Sequence, residues 1–73
     1  MTATAAALYT TANTEYGTRT DVHAYGAAFV VLHFDTDAGL LVGSTGAATL
    51  AAAIAKADVI SAGDVQPGDF ATI

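Results

Sequence analysis

Apolar positions along this chain repeat with two different periods. Over residues 46–61, Ala47, Leu50, Ala51, Ile54, Ala57 and Ser61 recur at i, i+3, i+4 and i+7, the spacing that places side chains on one face of a helix. Ser44 or Thr45 can accept an orphan N–H at its start, and Gly63 can supply a left-handed residue after its end. Alanine dominates the segment, which favours helix but leaves only a thin layer of side chains. An isolated helix of this length is marginal in water, so it must pack on something. This reading buries Leu50 and Ile54 and exposes Lys56.

The second pattern alternates. From Val22 to Asp35 the chain reads as one strand, with the β-branched and aromatic run Phe29-Val30-Val31-Leu32-His33-Phe34 at its heart. Alternation sorts Val22, Ala24, Gly26, Ala28, Val30, Leu32 and Phe34 to one face and His23, Tyr25, Ala27, Phe29, Val31, His33 and Asp35 to the other. Thr36-Asp37-Ala38-Gly39 then reads as a hairpin turn with Gly39 in the left-handed position, and Leu40-Leu41-Val42 as the returning strand.

The two ends of the chain read less simply. At the start, Ala5, Leu8, Tyr9, Ala12 and Tyr16 fit a helical stripe stopped by Gly17, whereas the threonines favour a strand over residues 3–11 followed by a loop at 13–17. The strand is the reading adopted. Near the end, Gln66-Pro67-Gly68-Asp69 has the chemistry of a type II turn, after which Phe70 and Ile73 can return as a short edge strand. The expected fold is therefore α+β: a small antiparallel sheet of three to four strands packed with one principal helix in the C-terminal half, as a single domain over residues 1–73.

A sheet with one helix has one open face, which in antiparallel sheets is normally polar at alternate positions. Here both faces are apolar through Phe29–Phe34 and Leu40–Val42, so the open one needs a cover. The N-terminal segment, a second copy of the chain, or a different protein could supply it. The strip Ala24, Gly26, Ala28 lacks bulk and suits close approach of an alanine-rich helix. That leaves Tyr25, Phe29 and Val31 as the expected interface, with the chain itself as the expected partner.

Composition narrows the function classes. Two basic residues, Arg19 and Lys56, stand against seven acids for a net charge of −5, too few to neutralise phosphates, so neither nucleic acid nor an anionic membrane is expected. There is no cysteine, which removes disulfides and thiolate metal sites together. A chain of 73 residues buries only about 60% of its unfolded surface, and oligomerisation is one remedy for so small a core. No basic leader or apolar span occurs, so a soluble, cytoplasmic protein is expected. The alanine-, glycine- and threonine-rich usage points to a GC-rich genome, and the strand–turn–strand–helix order is similar in style to small actinobacterial or phage accessory proteins. That likeness assigns no residue a role.

Candidate chemistry is sparse. His33, Asp35 and Asp37 would share a face if the strand ran on, but the turn at Thr36 rotates Asp37 away, and no metal is expected. Asp35-x-Asp37-x-Gly39 also echoes the start of a calcium loop and lacks its later ligands. Gly43-Ser44-Thr45-Gly46, read as a strand-to-helix connection, could present N–H groups to an anion at a helix start. His23, His33 and Ser44 lack the setting of a nucleophile elbow. No cofactor and no catalysis are expected. The functional expectation is a small non-catalytic protein-binding or regulatory module that self-associates; the alternatives are a structural subunit or decoration element of a larger, viral assembly, and a small-ligand or anion-binding protein.

Overall fold

The structure, a computed structural model, describes residues 6–63 and 65–71. Four strands, β1 (Tyr9–Asn13), β2 (Thr18–Tyr25), β3 (Ala28–Asp35) and β4 (Leu40–Ala47), form an antiparallel meander in the order β1-β2-β3-β4. Helix α1 (Leu50–Ala62) crosses one face, and a 3₁₀ turn, η1 (Pro67–Ala71), follows it. This is the expected α+β arrangement, with one helix in the C-terminal half. Of the expected first strand, residues 3–5 lie outside the described residues, and the strand runs further along the chain than expected, to Asn13.

The long strand read over residues 22–35 is two strands. Fourteen extended residues would reach roughly 46 Å at about 3.3 Å each, longer than the molecule's greatest extent of 32 Å. The chain reverses at Gly26-Ala27 instead. Gly26 has φ 61°, which the first central residue of a type II′ hairpin turn requires. Val22 therefore pairs with Val31, and Ala24 with Phe29. Even positions of β2 share a face with odd positions of β3, and the single-strand face assignment is corrected accordingly. Tyr25 points to one side of the sheet; Phe29 and Val31 point to the other.

The remaining turns follow local chemistry. Gly39 takes the left-handed conformation expected of it, at φ 70°, while the Asp35 carboxylate accepts the N–H groups of Asp37 and Ala38 at 3.0 Å. Asn13 Oδ1 accepts from Glu15 N at 2.9 Å and Tyr16 N at 3.3 Å, which closes the β1–β2 loop. Thr36 N donates to Gly17 O at 2.9 Å and joins the two loops at that end of the sheet. Between β3 and β4 the register slips by one residue: His33 pairs with Gly43 but Phe34 with Leu41, leaving Val42 as a bulge.

The helix begins later than its periodicity suggested. Thr49, rather than Ser44 or Thr45, is the N-cap, accepting from Ala52 N at 3.1 Å, and Gly63 at the other end is extended at φ −123° rather than left-handed. The buried face is Ala53, Ala57, Ile60 and Ser61. Leu50 is 39% exposed, Ile54 is half-buried, and Lys56 is half-buried with Nζ donating to Gly46 O at 2.6 Å. With alanine on every side, the apolar period does not single out one face. Val22, Val31, Ala53, Ala57 and Ile60 make the core, with Tyr9, Phe29, Ala47, Val65 and Phe70 packed around it. Helix and sheet are joined by Tyr9 donating to Asp58 Oδ1 and by Asn13 Nδ2 donating to Ser61 O at 2.7 Å.

The tail turns as expected at Gln66–Asp69, but as 3₁₀ helix rather than type II turn: Gly68 lacks a positive φ, and Asp69 N donates to Gln66 O at 2.9 Å. Phe70 returns to the core without forming a strand; Ile73 lies outside the described residues. A Cβ on Gly43 would sit 2.5 Å from the Phe70 ring, so glycine there is what lets the tail seat on β4.

Two stability measurements check this packing. In chemical denaturation, Ile60→Ala is expected to cost about 2–5 kcal/mol, and Leu50→Ala under about 1 kcal/mol. Gly43→Ala is expected to destabilise by expelling Phe70. In a double-mutant cycle with Phe70→Ala the two costs should be strongly non-additive, because both changes break the same contact.

Candidate functional site: the open sheet face and the two histidines

The helix-covered face carries Tyr9, Thr11 and Asn13 from β1, Thr18, Thr20 and Val22 from β2, Phe29, Val31 and His33 from β3, and Gly43, Thr45 and Ala47 from β4. Val31 is fully buried there, and Phe29 packs against the core. Both leave the expected interface for a physical reason: the Gly26 turn inverts the parity on which that grouping rested. Tyr25 alone of the three stands in solvent, 74% exposed.

The face away from the helix has two halves. Its apolar half is the β3 row Ala28, Val30, Leu32 and Phe34, extended by Leu41 of β4 (55% exposed) and Tyr25 at the hairpin end. Its polar half is the β2 row Arg19, Asp21 and His23, with Thr10 of β1 beside it. Asp21 is nearly buried and has both oxygens engaged. Oδ1 accepts from the Thr10 hydroxyl, and Oδ2 from Arg19 Nε at 3.1 Å. The Arg19 guanidinium also lies 4.8 Å from the Phe34 ring centroid, a cation–π distance. The two halves meet in a shallow concavity of about 660 Å³ lined by Arg19, Asp21, His23, Leu32 and Phe34 among others.

The residues considered for chemistry do not converge. Gly43, Ser44, Thr45 and Gly46 lie within β4 and not at the helix start, which lies beyond Ala48. Their N–H groups belong to an extended strand rather than a helix terminus, and the anion-site reading is corrected. His33 sits on the helix-covered face and His23 on the open one, so no single site contains both. Asp35 caps its turn, and Asp37 packs against Gly17. Among the described residues no three of His, Cys, Asp or Glu cluster closely enough to hold a metal ion.

His33 is 1% exposed and shares a hydrogen bond of 2.8 Å between its Nδ1 and the Thr20 hydroxyl, itself fully buried. Its ring centroid lies 6.1 Å from that of Phe70. Alternation along the sequence sets His33 on a face with Asp35. The partner across the sheet became visible only with the β2–β3 register. Burial lowers the His33 pKa below the ordinary imidazole value of 6.5, because the charged ring loses its hydration.

The unfolded chain therefore takes up a proton that the folded chain refuses, and stability is full above about pH 7 and falls as the pH drops through the ordinary imidazole range. The melting temperature is expected to be lower at pH 5.5 than at 7.5. In His33→Gln that difference should shrink; an unchanged difference would place its origin elsewhere. Adding EDTA is expected to leave the melting curve unchanged. No helix among the described residues is long and apolar enough to cross a membrane. Comparison with protein-family models, with curated proteins and with solved structures finds no match for this chain.

Proposed function

We propose that this protein is a small non-catalytic module that works through protein–protein contact, pairing with a second copy of itself through the open face of the sheet. The observation that carries the reading is the apolar row on the face away from the helix: Val30, Leu32 and Phe34, half-buried, with Leu41 and Tyr25 exposed beside them. The described residues form two layers, one sheet and one helix, and a second copy of the chain would add a third. A second layer would add only part of the roughly 1.5–3 kcal/mol that full burial of a large apolar side chain contributes, a gain that still counts in a small domain.

Charge and edge geometry favour a second copy on that face. The chain carries −5, yet among the described residues the charged side chains on the open face are Arg19 and Asp21, paired with each other. Of the other described acids, Asp35 ends β3 on the helix-side parity with its carboxylate bonded into the turn, and Glu15, Asp37, Asp58 and Asp69 lie in turns, the helix and the tail. Two such faces can meet without like-charge repulsion. Edge pairing is the competing geometry, and both edges are blunted. Strand β1 has only five residues; β4 is broken by its bulge and has Gly46 O occupied by Lys56. One strand of five residues and three of eight present roughly 460 Å² per face in projection, which sets a two-fold dimer at the small end of specific interfaces.

The non-catalytic part of the reading rests on the hydroxyl–imidazole pair of Thr20 and His33 being sealed from solvent. A cytoplasmic setting completes it. Sedimentation equilibrium at micromolar concentration is expected to give about twice the 7.3 kDa chain mass. Leu32→Lys should yield a folded monomer, and Val59→Lys, on the outer face of the helix, a dimer. Phe29→Asp is unsuitable as a probe because it strikes the core. A wild-type monomer at high concentration would refute the proposal, and open-ended assembly would favour a structural subunit instead.

A further inference from the structure

His23 is the one residue on the open face whose side chain belongs to the class that changes charge between pH 5 and 8. It is half-buried in the single chain and pairs across the β2–β3 ladder with Val30, at the centre of the apolar row. Directly opposed side chains in such a ladder lie about 4.5–5.5 Å apart at Cβ, so any second layer that covers Val30 and Leu32 also covers His23. We infer that His23 makes the self-association responsive to acid: carried into the seam between two copies, its imidazole releases the dimer when it takes up a proton. This rests on the self-association proposed above and specifies how that same face is regulated.

The direction follows from what surrounds the ring. Strand β2 itself brings Arg19, Asp21 and Tyr25 to this face, and the open-face positions of β1, β3 and β4 bring no titratable side chain. The helix, with Lys56 and Asp58, lies on the other side of the sheet. The one described carboxylate within the face, Asp21, accepts from Thr10 and is ion-paired with Arg19, so an imidazolium in the seam would meet a carboxylate whose charge the guanidinium already offsets. Burying an uncompensated charge is costly, and the neutral ring is the form the seam accepts. A two-fold dimer buries two such rings, so each step of dissociation can take up two protons.

The experiment is sedimentation equilibrium of the full chain at pH 7.5 and 5.5, with circular dichroism at each pH to establish that the chain is folded, since His33 lowers stability over the same range. For the wild type the dimer Kd is expected to rise by at least about tenfold at the lower pH. His23→Gln, and His23→Thr as a second variant that favours strand, should dimerise with a Kd that hardly changes with pH while keeping the acid sensitivity of the melting temperature. A wild-type dimer equally tight or tighter at pH 5.5 would overturn the inference, the latter by showing an imidazolium bound to the partner copy. A pH-dependent Kd that survives in both variants would overturn it as well. A chain monomeric at both values would overturn the self-association reading itself.

Discussion

The parity of the sheet is decided at one turn. Gly26, at φ 61°, lets the chain reverse in two residues, and a two-residue hairpin leaves no freedom in register. Val22 then meets Val31, Thr20 meets His33 and Arg19 meets Phe34. A slip of one position would bring Arg19 and Asp21 under the helix and carry Val22 into water. The bulge at Val42 makes the matching adjustment on the other side of β3, holding Leu41 beside Phe34 on the open face while Gly43 stays beneath the tail.

What that parity encloses is thin and unusually polar for a core. Alanines at positions 53 and 57 let the helix approach closely, and Thr20 and His33 fill the space between with a hydrogen bond rather than with hydrocarbon. Stability depends on connections that reach across elements. Asn13 closes its own loop and holds the end of α1; Tyr9 reaches Asp58; Phe70 lies over Gly43. A domain this small has little reserve, so each of these ties matters more than it would in a larger protein.

The sheet separates two imidazoles into different settings. His33 is enclosed, bonded to Thr20 and kept neutral by burial, so its proton equilibrium is coupled to folding. His23, on the other side, stands where an added layer would enclose it, so its equilibrium would be coupled to association. The same physics, the cost of placing a charge where water is excluded, acts at both positions with different consequences. The apolar row beside His23 is the feature that connects the fold to the proposed function, and its neutrality in a chain of net charge −5 is what supports a second copy as the proposed neighbour.

Local chemistry by itself determined the fold class, the helix in the C-terminal half, the Gly39 turn and the returning strand at Leu40, because each rests on residues that act within a few positions of one another. It also determined that an apolar surface would lie on the side of the sheet away from the helix. Which surface that was, only tertiary structure decided. Gly26 lies in an unbroken apolar run, with Ala27 and Ala28 after it and no polar turn residue to mark the reversal, so Tyr25, Phe29 and Val31 were grouped on one face when the hairpin places Tyr25 opposite the other two. The helix was ambiguous for a related reason: a segment that is alanine on every side packs on whichever stripe the sheet selects, and the sheet selected Ile60 over Leu50. Gly43 and Gly46 look like a connection in sequence and are strand in the fold, since hydrogen bonding to β3 and the bulk of Phe70 act on them from parts of the chain that no local pattern contains.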